Sequence, residues 1–356
     1  MAQVDYRFSL DFFREDGSPV GQAPVNVDWE PAIEWAHFDG VRSGRLPEVI
    51  NVSPAAIEPL WDKRLGEPYV RCFRVVMPAP DGAMFSRDIP TSYLFDLARA
   101  HSSTLVEQGK LRAGEFFKYR VCAFANRNGK EVSLPGFSVE EIDQPLDLVT
   151  SSLGELVSES KLAGADLAQD RDLPVVIPQH VLDEVSVGTR AAGELETGGI
   201  LVGKLHRDPS VPEIFVEVTA QIRAWNAQAQ HTKLTFTSET WDAVRAAIEL
   251  RKQHEVMLGW WHSHPDFCKN CPPEKRAACT YSRPFFSSED CALHRAVFGR
   301  AFNIGLLASY VATGELTHTL FGWRQGVIVS RGFYVRAAAS RANRLGEDNN
   351  HAATND

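Results

Sequence analysis

Two histidines at alternate positions, His262 and His264 in Trp260-Trp261-His262-Ser263-His264-Pro265, are the residues of this chain best placed to do chemistry. Residues i and i+2 of an extended strand face the same side, so a strand from Val256 to His264 would aim both imidazoles at one ion. Asp290, closing Ser287-Ser288-Glu289-Asp290, would supply a third ligand. Two neutral nitrogens and one carboxylate suit zinc, and three protein ligands leave a fourth position for water, the catalytic rather than the structural arrangement. Taken singly, each piece has a plainer reading. A His-x-His pair on an apolar strand is ordinarily two core histidines, and Ser287-x-x-Asp290 is also the capping pattern that begins many helices. Glu196 reads equally as a solvated charge ahead of a core strand, with Gly198-Gly199 allowing a close backbone approach.

Three segments, in order along the chain, resemble the JAMM metalloprotease family, also called MPN-plus or Mov34/PAD-1. Glu196-Thr197-Gly198-Gly199-Ile200-Leu201-Val202-Gly203 is similar to its acidic segment, Gly259 to Pro265 to its His-Ser-His-Pro segment, and Ser287 to Asp290 to its Ser-x-x-Asp end. The resemblance runs from Leu173 to Val335, about half the chain. It implies zinc on His262, His264 and Asp290, with Glu196 taking a proton from the zinc-activated water and passing one to the leaving amine. Ser287 and the metal would together stabilise the oxyanion. Members with the complete motif cleave isopeptide or peptide bonds at the C-terminal tails of ubiquitin and ubiquitin-like proteins. The likeness extends to bacterial, deubiquitinase-like members that occur with ubiquitin-like proteins and their activating and conjugating enzymes. It therefore implies a ubiquitin-like protein or its conjugate as substrate, with those enzymes as partners. Two alternatives stay open: hydrolysis at the tail of a sulfur-carrier protein in metabolism, and a noncatalytic docking module.

The chain departs from the family pattern between His264 and Ser287, where the 22 residues Pro265 to Phe286 replace a much shorter spacer. Pro272, Pro273, Pro284, Lys269, Lys275 and Arg276 make this insertion a polar loop that lacks a core of its own. It carries Cys268, Cys271 and Cys279, and Cys291 follows Asp290. A second, structural zinc on these four cysteines would hold the loop in shape, although the last spacing is irregular; free thiols are the alternative. Cys72 and Cys122 lie singly in expected strands and read as small buried side chains.

The elements that must position these groups form an expected α/β fold: a C-terminal mixed sheet flanked by helices, at residues 173–336, preceded by a separate α+β domain at 1–145. Strands are expected at Pro174–Pro178, Glu213–Thr219, Lys233–Phe236, Phe302–Val311, Leu316–Trp323 and Gly326–Tyr334, with helices at Gln179–Thr189 and from an N-cap Ser238 to Lys252. In the first domain, Val4–Arg14, Tyr69–Met77 and Phe116–Phe124 read as strands, and Pro31–Asp39 and Thr91–Gln108 as helices. No chemical constellation appears there, so a role in positioning substrate or partner is assigned by elimination. Residues 146–172 read as a linker and 337–356 as a loose tail.

With 356 residues, 44% of them hydrophobic and 23% charged, the composition is that of ordinary folded domains. A formal net charge of −9 and the lack of a basic stripe argue against nucleic acid as a partner. No run of 18 apolar residues and no charged-then-apolar leader is seen, so no membrane partner and cytoplasmic residence are expected.

Overall fold

The computed structural model describes residues 6–48, 55–125, 146–224, 228–229 and 234–337. The chain divides into two units, residues 1–146 with Trp323–Val327 and residues 147–322 with 328–356.

The first unit contains β1 (Tyr6–Arg14), β2 (Pro19–Val25), α1 (Glu30–Arg42), β3 (Ala56–Trp61), β4 (Val70–Pro78), β5 (Met84–Pro90), α2 (Phe95–Glu107) and β6 (Phe117–Ala125). Its strands form two three-stranded sheets, β2-β1-β6 and β3-β4-β5. Alternate residues of β1 and β4 turn inward, so Leu10, Phe12, Phe73 and Val75 are buried with Ile89 and Leu94. A stretch from Thr91 to Leu94 forms a separate 3-10 turn, so the single expected helix after Pro90 starts its α-helical part at Phe95.

The second unit contains β7 (Leu148–Thr150), α3 (Leu153–Ser158), β8 (Ser160–Ala163), β9 (Val175–Pro178), α4 (Gln179–Ala192), β10 (Gly198–Asp208), β11 (Glu213–Arg223), β12 (Gln228–Ala229), β13 (Leu234–Thr235), α5 (Ser238–Arg251), β14 (Val256–Ser263), α6 (Pro273–Arg276), α7 (Ser288–Val297), β15 (Ile304–Tyr310), β16 (Leu316–Arg324), β17 (Val327–Arg331) and β18 (Phe333–Arg336). The main sheet runs β17-β16-β15-β14-β10-β11-β9-β18-β8, with β7 also paired to β10. It is mixed: β10 is antiparallel to β11 and β14, whereas β14 and β15 are parallel. A mixed sheet flanked by helices, preceded by a smaller α+β domain, is thus the fold.

Two local readings shift. Thr237, not Ser238, caps α5, its Oγ1 accepting the Thr240 N–H at 3.4 Å. Residues 146–172, expected as a linker with room for a short helix, carry that helix as α3 and also β7 and β8; Leu148 pairs with Leu205, and Phe333 with Ala163. These strands are three and four residues long and bury none of their side chains, so no alternation marks them in the sequence. The expected tail from 338 onward lies outside the described residues, and among those described no helix is long and apolar enough to cross a membrane.

On one face of the sheet, Ile200, Val202, Val244, Trp260 and Phe298 form a buried core. Phe236, Trp241, Ile248, Phe286 and Leu293 pack around it. Trp260, the β14 residue of this core, shares the face of His262, so the packing of α5 and α7 and the placing of that histidine are one event.

Candidate metal centre

The register of β10 with β14 sets Gly198 opposite His262 and Gly199 opposite Trp261. One residue beyond, Ser263 N–H donates to Thr197 O at 2.8 Å, and the Thr197 N–H donates back to Ser263 Oγ at 3.1 Å. This closure ties the start of β10 to the end of β14 and brings Glu196 to the histidine end of the sheet. Gly199 is required at this crossing, where a Cβ would stand within 2.7 Å of Trp261 Nε1 and 2.4 Å of Ile222 O on β11. On the other side, His264 N–H donates to Ala308 O at 2.9 Å, so backbone pairing continues through the second histidine.

Asp290 arrives from α7. Ser287 caps that helix, its Oγ accepting the Asp290 N–H at 3.1 Å, while Asp290 Oδ2 accepts the Ser287 N–H at 2.7 Å. The capping box fixes the carboxylate rotamer by the same bonds that start the helix. Its oxygens then stand 3.3 Å from His262 Nε2 and 3.7 Å from His264 Nε2, and the two imidazole nitrogens are 3.3 Å apart.

These separations are those of a coordination shell. Two ligands at about 2.0–2.1 Å from zinc on tetrahedral corners stand about 3.4 Å apart. Among the described residues, His262, His264 and Asp290 are the one set of three ligating side chains whose atoms all lie within 4.8 Å of one another. The set is removed from solvent, with His262 fully buried and His264 5% exposed. Both histidines are aimed by aromatic packing. His262 stacks on Trp260 at 4.5 Å and meets Phe286 at 5.4 Å; His264 meets Phe285 at 4.9 Å and Phe267 at 6.0 Å. His262 Nδ1 is buried with no hydrogen-bond partner among the described residues, so packing holds this ring where a carboxylate or carbonyl usually would.

The electrostatics match. Burial lowers the pKa of His264 and favours the neutral, ligating ring, against the pull of Asp290. Burial by itself would raise Asp290, but the charge of His262 and hydrogen bonds from both histidines hold it well below the usual carboxylate range. Glu196, 5% exposed, is pushed up to about 8, first by burial and then by the charge of Asp290. A carboxyl raised this far is a proton carrier near neutral pH, and a cation between it and Asp290 would relieve the repulsion.

All five sequence-singled residues of the motif therefore lie in one place: His262, His264 and Asp290 as a ligand set, Ser287 as the cap of the ligand's helix, and Glu196 buried within reach of Asp290's charge. Cys268, Cys271 and Cys279 lie in the inserted loop, and Cys291 is half-buried on α7; none of the four is in a disulfide. No set of three cysteine sulfurs lies within 4.8 Å of one another among the described residues. Sequence reasoning missed Ser263, the lock on Glu196's strand, and the Phe285-Phe286 pair that brackets the histidines. The first points to the opposite face from its neighbours and the second falls in a loop of otherwise polar residues, although two adjacent aromatics just ahead of a helix cap were a visible signal. His294, accepting the Trp260 Nε1 hydrogen bond at 3.1 Å, was also missed.

Residues 178–269 match the family described as prokaryotic homologs of the JAB domain. A JAB/MPN-superfamily domain is therefore present. The matched segment includes Glu196, His262 and His264 and ends before Asp290, so the third ligand rests on the geometry. No curated relative matches the chain. Among solved structures, the chain is similar to protein DSY2949 from Desulfitobacterium hafniense, with 22% identity over 47% of this chain and 94% of that one and a TM-score of 0.31. A JAB/MPN domain bearing a His/His/Asp cluster has the makings of a metalloenzyme site.

Proposed function

We propose that this chain is a zinc-dependent isopeptidase or peptidase that cuts at the C-terminal tail of ubiquitin or a bacterial ubiquitin-like protein, removing conjugates, maturing precursors, or both. The observation that carries the reading is the buried carboxyl of Glu196 beside a separate three-ligand set, because a merely structural metal site has no use for a fourth, unligated acid. His262, His264 and Asp290 would hold the ion. When bound, zinc supplies Lewis-acid polarisation of the scissile carbonyl and a water acidified to near neutrality. Glu196, its carboxyl unligated and buried beside the ligand set, accepts the proton of the attacking water and delivers one to the departing amine. Ser287 Oγ spends an acceptor lone pair on the Asp290 N–H and keeps its own O–H free to donate to the developing oxyanion. Phe285 and Phe267 wall the His264 side and favour a small residue at the cut, as at the tails of ubiquitin-like proteins. The substrate's cognate activating and conjugating enzymes are the expected partners.

The test is incubation of zinc-loaded protein with a ubiquitin-like precursor and with its lysine conjugate, with and without chelator, the cut bond being identified by mass spectrometry. Chelator-sensitive cleavage after the tail supports the reading. Cleavage of a sulfur-carrier tail with lysine conjugates left intact, or no cleavage by zinc-loaded protein, refutes it.

A further inference from the structure

α7 meets β14 at two points. Asp290 Oδ1 faces His262 Nε2 at 3.3 Å, and one helical turn further on, His294 Nδ1 accepts the hydrogen bond of Trp260 Nε1 at 3.1 Å. Residues i and i+4 share a helix face, and residues i and i+2 share a strand face. Four residues of helix rise about 6 Å and two of strand about 6.6 Å, so both pairs come into register together. The helix that delivers the third ligand therefore also grips the strand next to the first.

Trp260 depends on that grip. Its side chain is buried, and a buried indole N–H left without an acceptor is costly. Its neighbour on β15 is Gly305, where a Cβ would stand 3.3 Å from Trp260 Nε1, so that strand offers no side chain in its place. His294 is fully buried too, and it meets Phe286 at 6.3 Å and Phe298 at 6.0 Å. To accept at Nδ1 the ring must be neutral and carry its proton on Nε2. Burial first, then the charges of Arg331 and Arg295, push its pKa down to about 3, which keeps that form near neutral pH.

The Trp260 indole lies against the His262 imidazole, with centroids 4.5 Å apart and planes 10° from parallel. A metal-bound histidine is ordinarily oriented by a hydrogen bond from its second ring nitrogen. His262 Nδ1 has no such partner among the described residues, so its plane is set by the indole and by Phe286 at 5.4 Å. Stacking fixes the tilt of the indole and leaves it free to turn in its own plane. The bond to His294 removes that freedom.

We propose that His294 is a positioning residue of the metal centre: through its hydrogen bond to Trp260 it fixes the plane of His262, in place of a bond to the ligand's own second nitrogen. The proposal rests on His262 as a metal ligand and not on what the enzyme cuts.

The experiment measures the zinc affinity of the full chain by competition with a chelating dye. Co(II) absorption reads the ligand geometry, and the metal-free melting temperature reads the fold. His294→Leu keeps the bulk and removes the acceptor; zinc affinity should fall about 10–100-fold and the visible Co(II) bands should shift. His294→Asn puts an oxygen where Nδ1 stands and should bind zinc within about twofold of the wild type. Trp260→Phe keeps a stacking ring without the N–H and should lose as much affinity as His294→Leu, and the double variant should lose no more than either. Unaltered zinc affinity in His294→Leu, whatever its melting temperature, overturns the proposal, as do single losses that multiply in the double variant. Should His294→Leu melt too low to assay, the other two decide: wild-type affinity in Trp260→Phe, or an equal loss in His294→Asn, overturns it. A chain with the expected affinities that cleaves no ubiquitin-like tail refutes only the proposed function.

Discussion

Replacing Glu196 by Gln separates the chemistry of the site from its stability. The carboxyl is 5% exposed and its pKa is raised from 4.5 to about 8, first by burial and then by Asp290. A carboxyl whose folded value lies above its unfolded one costs nothing below the unfolded pKa. Its penalty grows as pH rises through the window between 4.5 and 8 and is complete above it. At 1.36 kcal/mol per unit this is about 3 kcal/mol at pH 7 and approaches about 5 kcal/mol above pH 9. Gln has the same shape and never ionises. Metal-free Glu196→Gln should therefore melt with the wild type at pH 4.5 and exceed it progressively above, by roughly 6–12 °C at pH 7, taking about 2–4 °C per kcal/mol for a unit of this size. Zinc should narrow the gap, because the ion offsets the repulsion from Asp290. In zinc-loaded protein the same change should leave metal content unaltered and lower kcat by about 10²–10⁴. Thermal melts of chelated protein between pH 4.5 and 9, paired with metal analysis and turnover, read both effects. A difference between the two proteins that does not change with pH would show that Glu196 ionises freely in the fold and would remove the basis for its role as proton carrier.

Three further outcomes follow from the same geometry. Asp290→Asn keeps an oxygen for the Ser287 N–H but loses the charge facing His262, so zinc affinity measured by competition with a chelating dye should fall at least about tenfold while the metal-free melting temperature stays within a few degrees. Ser287→Ala removes the acceptor of the Asp290 N–H and should cost about 1 kcal/mol in urea denaturation. It should also lower kcat by about 10²–10³, and Ser287→Thr, which keeps the hydroxyl, should restore most of both. Gly305→Ala places a methyl group 2.6 Å from the Phe286 ring, which must then move off His262; destabilisation of about 1–3 kcal/mol and weaker zinc binding are expected, and unchanged zinc affinity would show that the Phe286 packing is dispensable.

The parts of the site legible in the sequence are those governed by local periodicity. His262 and His264 share a face because a strand alternates, and Asp290 is fixed because a capping box has a set spacing; neither needs knowledge of the rest of the fold. The strand and helix on the site's flank were legible for the same reason, since β11 and α4 carry apolar residues at regular intervals. What failed is what depends on distant pairing. Residues 148–150 and 160–163 looked like linker because they enter the sheet through backbone bonds to β10 and β18, and backbone bonds leave no compositional mark.

The burial of Glu196 belongs to that second class, and it matters most. Nothing in the local sequence distinguishes a buried acid from a solvated one ahead of a core strand. The difference is made far along the chain, where the Ser263 hydroxyl accepts the Thr197 N–H and draws the start of β10 against the end of β14. Ser263 lies between the two histidines and points to the other side of the strand, so one three-residue segment performs two tasks: its outer positions present the clustered imidazoles and its middle position draws up Glu196. The inserted loop extends the division. It reads as polar by composition, yet Phe267, Phe285 and Phe286 are the residues that aim the histidines, and they take up that position only once the strand, the helix cap and the loop's own turns have closed around them.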